Sequence, residues 1–73
     1  MRNLKEARLK KGLTQKELAE LIGKSKVSIT HYENGQRDPS ISDLKKLCKA
    51  LDTSSDYLIG LLDEDIKKDM NNE

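Results

Sequence analysis

The chain has 73 residues, enough for one small domain that buries only about 60% of the surface its unfolded form exposes. Charged residues make up 37% of it and aromatic residues 3%, which excludes an aromatic core and requires an aliphatic one. One cysteine excludes an internal disulfide. No run of about 18 apolar residues and no signal-peptide pattern is present, so we expect a cytoplasmic protein.

Charge divides the chain into two parts. Residues 1–40 hold nine Lys or Arg against five Asp or Glu, a net charge of +4, and residues 41–73 hold five against eight, a net charge of −3. A protein that binds nucleic acid needs a basic face more than a basic total. The split therefore permits DNA binding without establishing it.

Five helix starts can be read, each on a residue type that caps a helix well. They are Asn3, Thr14, Ser25, Ser40 and Ser54. Three of these caps have an acidic residue three positions later, as a capping box requires. The four glycines each follow an apolar segment, where a left-handed residue ends a helix. These signals predict helices at 4–11, 15–22, 26–34, 41–51 and 55–60, and no strand.

Apolar residues recur at helical spacing and predict one aliphatic core. Its predicted members are Leu4, Leu9, Leu13, Leu18, Leu21, Ile22, Ile29, part of Tyr32, Leu44, Leu47, Cys48, Leu51, Leu58 and Ile59. Ala19 is interpreted as a small side chain where two helices cross, because a larger one would wedge them apart.

The sequence changes character after residue 60. Residues 61–73 mix acidic residues with Leu62, Ile66 and Met70, which are four apart and compatible with a weak amphipathic turn. Disorder of the last polar residues is an equal alternative. We therefore predict a globular domain at 1–60 and a separate mixed-charge tail at 61–73 that can aid dimerisation.

Several short stretches between residues 13 and 60 form a distinctive combination of residue types and separations. They are Leu13-Thr14-Gln15, Leu18-Ala19, Gly23, Ile29, Tyr32-Glu33-Asn34-Gly35, Arg37, Pro39 and Asp56-Tyr57-Leu58-Ile59-Gly60. In this combination the chain resembles the phage-repressor and Cro type (Xre-like) of helix-turn-helix regulator. The resemblance implies an all-α, compact five-helix fold of the lambda-repressor type, in which helices 2 and 3 form the helix-turn-helix.

The resemblance also implies that the third helix reads DNA. The outward face of that helix carries Lys26, Val27, Thr30 and His31, which we predict to contact bases. Lys26 can donate to guanine and Val27 can pack on a thymine methyl group. The plainer alternatives are a solvated lysine, a valine that faces the core and a surface histidine. If His31 contacts phosphate, operator binding should tighten as pH falls from about 7.5 to 6.

Contacts to the DNA backbone are predicted for Gln15, Ser28, Asn34, Gln36 and Arg37. Gln15 lies in the first turn of the second helix, whose N–H groups favour a phosphate. The last three lie at or just beyond the end of the third helix, where members of the family contact the DNA backbone. For Arg37 a solvated loop charge is the alternative.

Two residues depart from the commonest family pattern, whereas a third feature follows it. Lys24 replaces the apolar residue that often follows the turn glycine, so we expect slightly looser packing there. Val27 replaces a polar residue on the reading face, which bears on specificity. The family often pairs an arginine of the first helix with the glutamate that closes the third, so the resemblance implies a structural ion pair between Arg8 and Glu33.

Nothing in the sequence indicates catalysis, a cofactor or a small-molecule ligand. One cysteine and one histidine cannot supply a set of metal ligands, and Cys48 lies on an apolar stripe as a small core residue. Ser28 and His31 are three apart, which is weak support for catalysis. We predict that the chain is not an enzyme.

The sequence therefore predicts a sequence-specific transcriptional regulator, and a repressor in preference to an activator. Dimerisation would double the contacts of one reading helix and imply an inverted-repeat operator. The dimer interface is expected at the fifth helix with Leu61 and Leu62, although both leucines can instead close the core. The alternative function is a protein-interaction module, such as an antitoxin-type helix-turn-helix protein that binds a partner protein through its acidic tail.

Overall fold

Five helices make up the part of the chain, residues 1–61, that the computed structural model describes. They are α1 (Leu4–Lys10), α2 (Gln15–Ile22), α3 (Lys26–Asn34), α4 (Ile41–Leu51) and α5 (Ser55–Leu58). All five begin where the sequence predicts, and residues 1–61 contain no strand. The all-α prediction is confirmed. Two ends differ, since α1 stops one residue and α5 two residues before the predicted position.

Side-chain caps explain four of the five helix starts. At α2 the capping box is complete, because Thr14 Oγ1 accepts from Glu17 N at 3.0 Å and Thr14 N donates to Glu17 Oε1 at 2.8 Å. The hydroxyls of Ser25, Ser40 and Ser54 each accept one backbone N–H of α3, α4 and α5. Each such cap stabilises its helix by about 1 kcal/mol.

Asn3 is the exception, because its side chain does not cap α1. Its Nδ2 donates instead to Tyr57 O at 2.7 Å, and its backbone N donates to Leu58 O at 3.1 Å. These bonds satisfy carbonyl groups at the end of α5 that have no partner within their own helix. The residue before the first helix is therefore joined to the end of the last helix by one side-chain donor and one backbone donor.

The core is aliphatic, with two tyrosines at its edge. Its buried members are Leu4, Ala7, Leu18, Ala19, Ile22, Ile29, Tyr32, Leu47, Leu51, Tyr57 and Leu58. The predicted core residues Leu13, Leu44 and Cys48 are only partly buried and pack against this cluster.

Three predicted core residues are wrong. Leu9 is 57% exposed, Leu21 is 61% exposed, and Ile59 is also exposed. On α1 the buried stripe runs through Leu4, Ala7 and Arg8, which places Leu9 outside it. On α2 the buried residues are Leu18, Ala19 and Ile22, so Leu21 falls on the solvent side. Ile59 follows the last turn of α5 and leaves the helical face.

Candidate nucleic-acid interface

The turn between α2 and α3 sets the angle of the two helices. Gly23 ends α2 with φ +71°, and the N–H of Lys24 returns to Ala19 O at 2.9 Å. A residue with a Cβ would be strained at this φ, which explains the glycine. Ala19 is buried in the domain, as predicted for a small residue at this crossing.

Helix α3 has two contrasting faces. Ile29 and Tyr32 are buried and fix the helix on the domain. On the other side Lys26 is exposed, and Val27 exposes 60% of its surface although it is apolar. The interpretation of Val27 as a core residue is therefore wrong. The outward face presents the ammonium group of Lys26, the methyl groups of Val27 and the hydroxyl of Thr30.

A hydrogen-bond network joins the outward face of α3 to the start of α2. Gln15 Nε2 donates to Glu33 Oε1 at 2.9 Å. Thr30 Oγ1 lies 3.3 Å from Gln15 Oε1 and 3.1 Å from Lys26 O, so its single hydrogen is directed back at the protein. Gln15 and Thr30 are thus held in place by neighbours before any ligand binds.

The network ends on a buried ion pair. Arg8 Nε donates to Glu33 Oε2 at 2.7 Å, and the side chains of the two residues are only 8% and 4% exposed. Arg8 Nη1 also donates to Leu13 O at 2.8 Å. This is the contact that the resemblance implies. Because both carboxylate oxygens of Glu33 are occupied, by Arg8 and Gln15, the C-terminal turn of α3 is tied to α1 and α2 together.

A second ion pair lies at the other end of α2. Lys24 Nζ is 3.0 Å from Asp43 Oδ2, and Tyr32 Oη lies 3.4 Å from the same oxygen. The hydrogen bond from Lys24 lowers the pKa of Asp43 and, in turn, raises the pKa of Lys24. The expectation of looser packing at Lys24 misses this contact, which attaches the turn to α4.

The residues after α3 stay close to its end. The N–H groups of Gln36 and Arg37 lie 2.9 and 3.4 Å from His31 O, and both side chains are exposed, as is that of Asn34. His31 itself is half-buried, and its Nδ1 is a buried atom without a hydrogen-bond partner among the described residues. Three of the predicted backbone contacts are therefore brought together beside the edge of the reading face.

Ser28 is placed differently. Its backbone N donates to Ser25 Oγ at 3.2 Å, and the two hydroxyls are 3.3 Å apart. Ser28 therefore belongs to the capping arrangement at the start of α3, and its hydroxyl has a protein neighbour.

A shallow groove of about 550 Å³ lies where α1, α2 and α3 meet, and it includes two lysines that the sequence analysis did not join. Lys16 and Lys26 line it together with Thr14 and Gln15. The capping box uses the N–H groups of Thr14 and Glu17. The N–H groups of Gln15 and Lys16 have no acceptor within α2 and lie at its positive end, which suits an anion. Lys16 was missed because only the fold brings it near α3.

In the part of the chain that the structure describes, no group of three or more His, Cys, Asp or Glu side chains is arranged to hold a metal ion. None of its helices combines the length and apolar character that crossing a membrane requires.

Comparison with known proteins bears on both fold and site. Residues 4–58 match a protein family described as helix-turn-helix. The chain is 44% identical over 59 residues to the HTH-type transcriptional regulator ImmR of Bacillus subtilis, a match that covers 81% of this chain and 46% of ImmR. It spans about half the length of the B. subtilis relatives it matches. Their names are those of transcriptional regulators, in agreement with the prediction that the chain is not an enzyme.

Two solved structures have the same fold. The P22 c2 repressor in complex with synthetic operator 9T is similar with a TM-score of 0.73 and 34% identity, covering 77% of this chain and 85% of that one. The restriction-modification controller protein C.AhdI from Aeromonas hydrophila is similar with a TM-score of 0.70 and 39% identity, with the same coverage. These likenesses confirm the five-helix fold expected from the sequence.

Proposed function

Because the chain belongs to the helix-turn-helix family, we propose that it is a sequence-specific DNA-binding transcriptional regulator of the repressor type. It acts in the cytoplasm by occupying an operator, with α3 in the major groove. The observation that carries the proposal is the contrast between the two faces of α3. Its inner face is locked by Glu33 and Ile29, whereas its outer face exposes Lys26 and Val27 on a helix that the major groove can admit.

The base-reading set is Lys26, Val27, Thr30 and His31, the four residues on and beside the outer face. Lys26 donates to guanine O6 or N7, and Val27 packs on a thymine methyl group. Thr30 can turn its hydroxyl from Lys26 O to a base acceptor, since the hydroxyl hydrogen rotates. The half-buried His31 borders the set and its Nδ1 lacks a partner among the described residues.

Selection of bound DNA from random duplexes tests the proposal directly. The expected product is an inverted repeat whose half-sites lie about one helical turn apart. Val27→Ala should weaken binding to that site roughly five- to tenfold, because two methyl groups lose their contact. Leu21→Ala removes an equally exposed apolar side chain from α2 and should leave binding unchanged. Absence of enrichment over bulk DNA would refute the main proposal.

The phosphate contacts come from Gln15, Ser28, Asn34, Gln36 and Arg37. For Gln15 the backbone N–H is the contact group, because the side chain is already bonded to Glu33 and Thr30. Lys16 and Lys26 add charge beside it in the groove at α2.

The salt dependence of binding separates contact from solvated charge. Arg37→Gln should reduce the slope of log K against log salt concentration by about 0.9 for each bound copy of the chain, the value for one released counterion. The matched control is Lys49→Gln, which removes an exposed cation from α4 and should leave the slope unchanged. Equal slopes for Arg37→Gln and the parent protein would place Arg37 in solvent.

We also propose that two copies bind together. Ile59 and Leu61 are exposed apolar residues beyond α5, and Leu62, the other predicted interface residue, lies outside the described part of the chain. Leu61→Asp should lower the dimer fraction in sedimentation and weaken binding to the inverted repeat more than to one half-site. A protein that stays monomeric on a symmetric site would contradict this part alone.

The alternative function, a module that binds a partner protein, stays a prediction. It has the same fold and would give no enriched DNA sequence in the selection above.

A further inference from the structure

A shallow apolar groove of about 500 Å³ runs along α4, at the edge of the core. Its floor is formed by Ile41, Leu44 and Cys48, which recur at helical spacing, and Ser55 of α5 closes one side. Ile41 is 74% exposed, more than any other large apolar residue among residues 1–61. Leu47 and Leu51 of α4 are buried in the core, and the partly buried Leu44 and Cys48 pack against it, so this stripe is the outer edge of the same apolar face.

The described chain ends beside this groove. Leu61 N donates to Asp56 O at 2.8 Å, so the backbone folds back to the residue next to Ser55. Twelve residues follow Leu61 in the sequence. Fully extended they reach at most about 40 Å, whereas the 11 residues of α4 are about 16 Å long. Residues 62–73 are therefore long enough to run along the whole groove.

The sequence of residues 62–73 complements the groove in both charge and apolar spacing. The groove is flanked by Lys45 and Lys49, which are exposed. Residues 62–73 contain five acidic residues and two lysines, a net charge of −3, with three of the acids together at 63–65. Ile66 and Met70 follow that acidic run and are four residues apart, the spacing of one helical turn.

We propose that residues 62–73 bind the α4 groove of their own chain. Ile66 and Met70 cover the stripe formed by Ile41, Leu44 and Cys48, and the acidic run lies against Lys45 and Lys49. This contact removes the most exposed apolar residue of the domain from water. It is independent of the proposed DNA binding, because the groove shares no residue with the base-reading or phosphate sets.

Cys48 provides a probe for this contact, since it is the single cysteine and lies in the groove. The rate of its modification by a neutral maleimide should rise roughly three- to tenfold in full-length Ile66→Asp, because an occluded thiol reacts only while the groove is open. A new carboxylate near the thiol would by itself slow the reaction, since it disfavours the thiolate. Faster modification therefore shows that residues 62–73 no longer cover the Cys48 thiol.

Leu21→Asp is the matched control, because it also places an aspartate at an exposed apolar position but on α2. Its rate should equal that of the parent protein. Equal rates for Ile66→Asp and the parent protein would overturn the proposal. The parent rate should also be constant over a roughly hundredfold range of protein concentration, because binding within one chain does not depend on concentration. A rate that falls with concentration would assign the groove to a second copy and overturn binding within the chain.

A charge exchange gives a second measurement without the thiol. Lys49→Glu should shift the NMR methyl signals of Ile41 and Leu44 in the same direction as Ile66→Asp does. Adding Asp65→Lys to Lys49→Glu should move them back toward the parent positions. Methyl signals that do not move with either single variant would contradict the proposal, even if the thiol rate changes.

Discussion

Two ion pairs hold the α2–α3 unit in the domain, one on each side of it, and they differ in how much water each charge keeps. In the Arg8–Glu33 pair both side chains are at least nine-tenths buried. In the Lys24–Asp43 pair the aspartate is buried, but the lysine side chain is 39% exposed. The first pair is also bonded to Gln15 and Leu13, whereas the second has one further neighbour, Tyr32.

This difference determines what each pair contributes. When one partner of a buried pair is removed, the remaining charge stays buried without compensation, and the loss is large. An exposed ammonium group is solvated again at little cost in free energy. Most of the loss in such a pair therefore comes from leaving the buried carboxylate without its partner. The two pairs therefore have similar distances but should respond differently to substitution.

The largest effect is expected at the buried pair. Arg8→Ala and Glu33→Ala should each lower the free energy of unfolding by about 3–5 kcal/mol, since each leaves one buried charge unpaired. Urea unfolding followed by circular dichroism measures this. The double variant should lose clearly less than the sum of the two single losses. If the losses simply add, the two residues are not coupled.

The second pair should respond asymmetrically. Lys24→Met leaves the buried Asp43 carboxylate with the Tyr32 hydroxyl as a side-chain neighbour, whereas Asp43→Asn releases an ammonium group that is already partly exposed to water. We therefore expect Lys24→Met to lower the urea midpoint more than Asp43→Asn does. An equal loss for both would show that burial of Asp43 does not distinguish the two partners.

Acid unfolding sharpens the same comparison. The hydrogen bond from Lys24 lowers the pKa of Asp43 from its ordinary value of 3.8. The contribution of the ionised Asp43 to folding stability is therefore complete above that pH. The contribution is lost as pH falls through the lower pKa of the folded state. The parent protein should lose more stability than Asp43→Asn as pH falls below about 3.8. Identical pH profiles would mean that Asp43 titrates as it does in the unfolded chain.

The smallest effect is expected at Gln15, the polar neighbour of the buried pair. Gln15→Ala removes hydrogen bonds to Glu33 and Thr30 and should cost about 1 kcal/mol of stability. The salt slope of DNA binding should not change, because the backbone N–H remains. A slope reduced by about 0.9 for each bound copy would mean that the side chain itself contacts a phosphate.

Local signals predicted the helices well for a physical reason. The hydroxyls of Thr14, Ser25, Ser40 and Ser54 bond within three residues, so their effect can be read from a short stretch. The end of α4 is also where the sequence predicts, although Asp52, not a glycine, takes the left-handed conformation there with φ +54°.

Tertiary placement was less predictable. Leu9 and Leu21 fit a helical apolar pattern, but the neighbouring Arg8 and Ala19 take the buried positions. The contact between Lys24 and Asp43 joins residues 19 positions apart, and neither residue indicates it alone. For the interface, the outward residues of α3 followed from periodicity and resemblance, whereas the attachment of Gln15 to Glu33 depends on how α2 and α3 meet.

The bonds from Asn3 to Tyr57 and Leu58 have a consequence for the order of folding. They close a loop of 54 residues, and α5, with four residues, is too short to form alone. Because a loop of that length is entropically expensive to close before its contacts form, α5 should dock after α2, α3 and α4 have packed. The two ends of the domain should then also open first, and their amide hydrogens should exchange together and ahead of those in α2.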